Sequence, residues 1–348
     1  MGEYTVLVTG GTGFIGSHCC RDLLDNGYDV VIVDNLVNSS GEVIDRILEL
    51  GNGNLYFYCL DVNDSDALAR VFQRHAVDVV VHFAAHKAVR DSVGRPLEYY
   101  TNNVSGLLSL LAAMQSVGVQ HLIFSSSCSI YGDSNDSALT EASPPSPTNP
   151  YARSKWMCEV ILEDFCSQRP AWSVTALRYF NPAGAHSSGL LGEAPKGVPS
   201  NIVPFLAQLA AGRREVLEVF GCDYPTPDGT AIRDYIHVSD VVEGHRLALE
   251  RGPDSGFRRY NLGTGVGTSV LELISEFEIA SGRRLPYRLM GRRPGDVPQL
   301  VASPALARAE LGWVATRTLT DMCRDSWRFQ VANPSGYGAL SPGARSEA

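Results

Sequence analysis

Short runs of consecutive apolar residues alternate with longer stretches of helical periodicity through the first half of the chain. The runs at 4–9, 29–34, 55–60, 78–84, 121–126 and 173–180 are mostly rich in Val, Ile and Leu and lack polar alternation. That pattern belongs to strands buried on both faces of a parallel sheet. Helical periodicity fills the intervals at 14–26, 42–51, 64–75, 96–117 and 151–168. The βαβα order predicts an α/β fold built on a doubly wound, Rossmann-like parallel sheet.

After residue 180 the texture changes. Residues 181–197 are rich in Gly, Pro, Ser and Ala and read as a long loop. Shorter helical patterns follow at 200–212, 238–251 and 269–281, separated by loops that hold Gly221, Pro225, Pro227 and Gly229. We expect a first unit over 1–180 and a smaller α/β substrate-binding lobe over 181–335. Residues around 235–262 should return to the first unit, with 259–262 rejoining its sheet. The small, polar residues 336–348 read as a flexible tail.

Composition narrows the partners. The 348 residues carry a formal net charge of −9, which argues against nucleic acid or an anionic membrane as the main partner. An anionic ligand would have to be held by a few local arginines and helix N-termini. No apolar run approaches the ~18 residues of a membrane span, and the chain enters a strand pattern at once, without a signal peptide. The cytoplasm is the expected location. The eight cysteines (19, 20, 59, 128, 158, 166, 222 and 323) form no CxxC pair and read as reduced thiols, not as a disulfide framework or zinc site. His82 and His237 lack metal-ligand spacing and read as structural, so no metal is expected.

Four motifs carry chemistry. The first strand runs into Gly10-Gly11-Thr12-Gly13-Phe14-Ile15-Gly16 and then a helix, the context in which glycines let backbone approach a pyrophosphate. Asp34 closes the second strand, where a carboxylate accepts from ribose hydroxyls and repels a 2′-phosphate. With no Arg or Lys directly after it, NAD is favoured over NADP. Asp61, after the third strand, suits an adenine amino group or the start of the next helix. The fifth strand delivers Ser125-Ser126-Ser127 at its C-terminal end, where open α/β sheets bind ligands. Tyr151 and Lys155 are four residues apart on a helical pattern and so share a face. A cation beside a phenol stabilises the phenolate, making a usable base or acid.

Together these residues resemble the extended short-chain dehydrogenase/reductases, and within them the UDP-glucose (UDP-galactose) 4-epimerases. The resemblance runs from about residue 4 to about 338, through the segments 11–18, 81–92, 124–132, 149–155, 177–185, 228–237, 260–265 and 292–297. It implies interconversion of UDP-glucose and UDP-galactose by NAD-dependent transient oxidation at sugar C4. Tyr151 would be the base, Lys155 would hold the nicotinamide ribose and lower the phenol pKa, and Ser127 would assist proton transfer. Cofactor contacts would come from Gly10, Gly13, Phe14, Ile15, Gly16, Asp34, Asn35, Asn38, Asp61, Val62, Phe83, Ala84, Lys87, Asn102, Ser125, Tyr151, Lys155 and Tyr179. The UDP-hexose would meet Lys87, Ser127, Tyr151, Asn181, Asn201, Arg233, Arg293, Asp296 and Leu300. A homodimer through a four-helix bundle is also implied.

The chain departs from the family pattern in places. Arg90 puts a cation where the family usually has glycine, and Cys128-Ser129 replaces Ala-Thr. Leu300 is intermediate in size where the family gates N-acetylated sugars, which leaves UDP-GlcNAc open. UDP-pentose and UDP-uronate 4-epimerisation stay in play, the latter because Arg90 could meet a C6 carboxylate. A 4,6-dehydratase would need an acidic pair where Cys128-Ser129 stand. A catalytically silent NAD-binding scaffold would be expected to lack Tyr151 or Lys155.

Overall fold

In the computed structural model, which describes residues 4–337 apart from 52, 135, 137, 253, 254, 294 and 295, the six apolar runs are strands. They are Thr5–Thr9 (β1), Asp29–Asp34 (β2), Leu55–Cys59 (β3), Val79–His82 (β4), His121–Ser127 (β5) and Ser173–Tyr179 (β6). Eight further strands follow: Asn181–Ala183 (β7), Leu217–Phe220 (β8), Ile232–Arg233 (β9), Tyr235–His237 (β10), Gly256–Leu262 (β11), Thr268–Ser269 (β12), Tyr287–Met290 (β13) and Gln299–Leu300 (β14). The main sheet has the order β11-β6-β5-β4-β1-β2-β3, and every pairing in it is parallel. Chain order reverses between β1 and β4, so the carboxyl ends there open a crevice suited to a ligand.

The helices are Phe14–Asp25 (α1), Glu42–Leu50 (α2), Ser65–Arg74 (α3), Val89–Gly94 (α4), Pro96–Tyr100 (α5), Gly106–Val117 (α6), Pro150–Ser167 (α7), Ile202–Ala210 (α8), Val238–Glu250 (α9), Val270–Ser281 (α10), Ala305–Leu311 (α11) and Leu319–Ala332 (α12). Successive strand residues feed opposite cores. Val6, Val8, Val30 and Ile32 lie in one, while Leu7, Val31, Val33 and Phe124 lie in the other. This two-sided burial is why the strands are apolar throughout. A third core, with Val203, Leu206, Phe277 and Met322, packs the helices of the second half. It lies among three small sheets that pair β10 with β7, β9 with β12 and β14, and β13 with β8. Strand β11 crosses back to the main sheet beside β6, Tyr260 opposite Leu177.

Three expectations need correcting. The pattern at 96–117 is not one helix: a π-helical turn at Thr101–Ser105 separates α5 from α6. Such a turn adds a residue without breaking apolar continuity, and π turns often mark functional sites. Helices α4, α11 and α12 were not anticipated. The expected tail begins too early, because Tyr337 donates to the Gly192 carbonyl at 2.8 Å and accepts its N–H at 2.9 Å; residues 338–348 lie outside the described residues. Among the described residues no helix is long and apolar enough to cross a membrane.

Candidate active site

The glycine turn after β1 forms the floor. Gly10 has φ +70°, and a Cβ there would lie 2.7 Å from the Ala84 nitrogen, so glycine alone fits without strain. Gly13 caps α1 with no side-chain hydrogen bond, and the first turn holds no acidic residue. The free N–H groups of that turn, which includes Phe14, Ile15 and Gly16, therefore face an anion site. Asp34 is buried beside it, accepting from the N–H groups of Thr12 (3.1 Å) and Leu36 (2.9 Å) and from the Ser39 hydroxyl (3.1 Å). Leu36 has φ +59°, which folds the loop around the carboxylate. Asn35 donates to Asp61 at 2.8 Å, Asn38 is exposed on the same loop, and Val62 is buried against α6. These residues fit a dinucleotide.

The reacting end lies at the carboxyl ends of β4, β5 and β6. Helix α7 starts at Pro150, with the Asn149 side chain accepting from the Ala152 N–H, so its first turn presents Tyr151. Burial pushes the Tyr151 phenol up to about 12, and the nearby Ser127 hydroxyl opposes that rise. Lys155, one turn later, is buried; burial pulls it down to about 8, against the nearby Cys158 and Glu159. Its ammonium donates to the Ser125 carbonyl at 2.7 Å and sits 4.9 Å from the Phe124 ring centre. Burial is the largest influence on the Tyr151 phenol in the structure, and the Lys155 ammonium is turned to the Ser125 carbonyl. Tyr179 donates to His245 Nε2 at 2.5 Å, because His245 Nδ1 faces the Val241 carbonyl, and Phe83 packs on the same imidazole. His82 is buried against Thr9.

Other expected residues lie on the second half or facing it. Lys87 donates to Glu193 at 2.7 Å, and Asn201, at the start of α8, donates to the same oxygen at 2.8 Å. Asn181 has a buried Oδ1 with no partner among the described residues. Arg233 stands opposite Leu300 in the β9–β14 pair and donates to the Ile232 carbonyl. Leu300 packs on the Cys128, Phe180 and Ala302 cluster. Arg293 lies over Phe220, 4.2 Å from the ring centre, and its carbonyl accepts the Asp296 N–H. Arg90 is exposed on the first turn of α4.

Several residues escaped the sequence reading. Expected Asn102, in the π-helical turn, donates to Asn103, and it is buried Asn103 that holds both backbone groups of His86 and the Ser154 hydroxyl on α7. Glu193 joins Lys87 to Asn201, and Lys196 reaches the Leu36 carbonyl at 2.8 Å. A lone Asn, Glu or Lys in a loop carries no spacing signal, so only the fold reveals them. The arrangement offers a proton-handling phenol at one end of a dinucleotide cradle, with Arg233 and Arg293 on the second half of the chain as candidate partners for a second, anionic ligand.

Known proteins resemble the chain over nearly its whole length. Residues 6–263 match the NAD dependent epimerase/dehydratase family. A UDP-glucose 4-epimerase of Bacillus subtilis (strain 168) is 51% identical over 333 residues, 95% of this chain and 98% of its own. The crystal structure of UDP-glucose 4-epimerase from Bifidobacterium longum in complex with NAD+ and UDP has a TM-score of 0.94 at 46% identity, covering 96% of this chain and 100% of that one. The UDP-glucose-4-epimerase from Stenotrophomonas maltophila, with bound NAD and formylated UDP-arabinopyranose, has a TM-score of 0.93 at 47% identity, covering 95% and 99%.

Proposed function

The chain belongs to the NAD dependent epimerase/dehydratase family, and from that premise we propose how its residues invert C4 of a UDP-hexose. The reaction interconverts UDP-glucose and UDP-galactose and uses NAD. The glycine turn and the open N-terminus of α1 hold the cofactor pyrophosphate, and Asp34 holds the adenosine ribose. Bound NAD would supply a hydride acceptor and donor for C4. Tyr151 takes the proton of the 4-hydroxyl as the ketone forms and returns it on either sugar face. Ser127, close to the phenol, assists that proton transfer. Lys155, fixed on the Ser125 carbonyl, presents its remaining N–H donors to the nicotinamide ribose.

Affinity belongs in the UDP end. An acidic chain needs fixed guanidinium groups for a diphosphate, and Arg233 and Arg293 serve there with Asp296. The unpartnered Oδ1 of Asn181 is a ready acceptor, and Asn201 and Lys87 exchange Glu193 for ligand oxygens. Loose sugar contacts let either face of the ketone present itself, so binding energy stays out of the ground-state hexose. Leu300, at the edge of the Phe180 cluster, is a side wall of modest size.

The observation that carries this reading is the grouping of Tyr151, one helical turn before buried Lys155, with Ser127 at the carboxyl end of β5, where the Lys155 ammonium holds the Ser125 carbonyl at 2.7 Å. A substrate panel tests it. Purified protein should convert UDP-galactose to UDP-glucose, read by proton NMR, without added NAD. Turnover confined to UDP-xylose and UDP-glucuronate would replace the hexose assignment, and silence with every sugar would favour a non-catalytic scaffold.

The protein works in the cytoplasm as a homodimer on this reading. What supports the dimer is apolar exposure along α4 to α7: Val93, Leu97, Leu108 and Met157 all face out, Leu97 with 78% of its surface free. Patches of that kind mark interaction sites.

A further inference from the structure

Beneath the reacting end lies an ion pair that no step above uses. Glu159 and Arg178 are both fully buried, with Arg178 Nε 2.9 Å and Nη2 2.6 Å from the two carboxylate oxygens. A bidentate pair sealed from water is expensive to desolvate and is weak evidence for stability alone. Its placement gives it another use. Glu159 is on α7, at the same four-residue spacing that carries Tyr151 and Lys155, so all three share one helix face. The Ser126 hydroxyl of β5 donates to the same carboxylate. Ser126 stands opposite Arg178 in the β5–β6 register, and Ser127 opposite Tyr179. The remaining arm of Arg178 donates to the Tyr131 hydroxyl at 2.8 Å, and Tyr131 donates to Asn261 on β11 at 2.6 Å. Tyr131 closes the short helical turn Cys128–Tyr131, which Ser127 caps. The pair thus grips every element that carries a reacting hydroxyl or ammonium: α7, the end of β5 and the turn after it.

We propose that Glu159 and Arg178 are positioning residues that clamp α7 against the end of β5 and so fix the place of the Tyr151 phenol relative to Ser127. This rests on the C4-inversion reading above. Tyr151 lies two helical turns from Glu159, roughly 12 Å at 1.5 Å rise per residue, so a small tilt about the clamp moves the phenol oxygen by a comparable fraction of that lever. Misplacement of a reacting group by about 1 Å can lower a rate on the order of 100-fold. The glycine cradle and the arginines lie on other elements and are untouched by such a tilt.

The test uses the full-length protein with its bound NAD. Ser126→Ala cuts the link to β5 and leaves the ion pair whole. Glu159→Met combined with Arg178→Met replaces both charges with apolar side chains, a change that stability often tolerates. Initial rates with UDP-galactose are read beside NAD content and thermal melting. Both variants should lose more than about fivefold in kcat while KM for UDP-galactose and NAD stoichiometry stay within about twofold. A folded variant with kcat within about fivefold of wild type overturns the proposal. So does a rate loss that tracks lost NAD or a raised KM. Ser126→Ala decides alone if the double variant does not fold. Wild-type protein that leaves UDP-galactose unchanged refutes the underlying reading instead, and the two failures are separate results.

Discussion

Gly16→Ala is the sharpest probe of the cradle. Gly16 sits in the first turn of α1 with ordinary helical backbone, so the substitution acts through space and not through φ. Its new Cβ would lie 2.9 Å from the Gly11 Cα and 3.0 Å from the Gly10 carbonyl carbon, against the Gly10 oxygen itself. Carbon atoms pack comfortably at about 3.5–4.0 Å. The helix start and the turn must therefore separate by roughly 0.5–1 Å, and both are backbone with no rotamer to yield. Overpacking of this kind costs about 1–3 kcal/mol. If the strain falls on the pyrophosphate site, NAD affinity drops about 5- to 150-fold. Stripped protein titrated with NAD by calorimetry reads the loss, with Gly94→Ala as the control, since a Cβ there meets nothing within 4 Å. A folded Gly16→Ala protein with NAD affinity within about twofold of wild type would refute the reasoning.

Tyr151→Phe should lower kcat by on the order of 10²–10⁴, with NAD content and UDP binding retained; loss of bound NAD in step with activity would assign the residue to binding. Burial holds His18 and His82 down at about 3 and His121 and His245 at about 4. Each folded value lies below the unfolded one, so this stability is complete above about pH 6.5 and is lost as pH falls, by up to about 1.4 kcal/mol per pH unit for each histidine. Melting temperature should accordingly fall between pH 7 and pH 5, and a flat profile would contradict the burial. Leu97→Glu places a charge on the exposed apolar face of α5 and should shift the sedimentation profile from dimer to monomer; an unchanged dimer would move the interface elsewhere.

The main sheet was legible because residues such as Val6, Leu7 and Val8 serve two cores at once, leaving uninterrupted apolar runs. The cradle and the catalytic pair were legible because glycine at Gly10 and the four-residue step from Tyr151 to Lys155 answer local demands. The second half was less so. Apart from β11, its strands are two to four residues long, too short for period-two alternation to register. The π-helical turn at Thr101–Ser105 hides inside a continuous helical pattern, and with it the role of Asn103. Glu159 and Arg178 were less legible for a different reason: the strand pattern at 173–180 contains Arg178, but nothing local names Glu159 as its partner, and only the fold brings the two together. Lys155 shows the limit of spacing arguments: the four-residue step puts it on the face of Tyr151, and only the fold reveals that its ammonium is held by the Ser125 carbonyl.

The central claim is that C4 is oxidised and re-reduced inside one closed site. UDP-galactose carrying deuterium at C4 tests it directly. The account predicts UDP-glucose that keeps the deuterium at C4, with none lost to solvent and with the C4 oxygen retained. Exchange of the label into water, or product with a solvent-derived oxygen at C4, would contradict it.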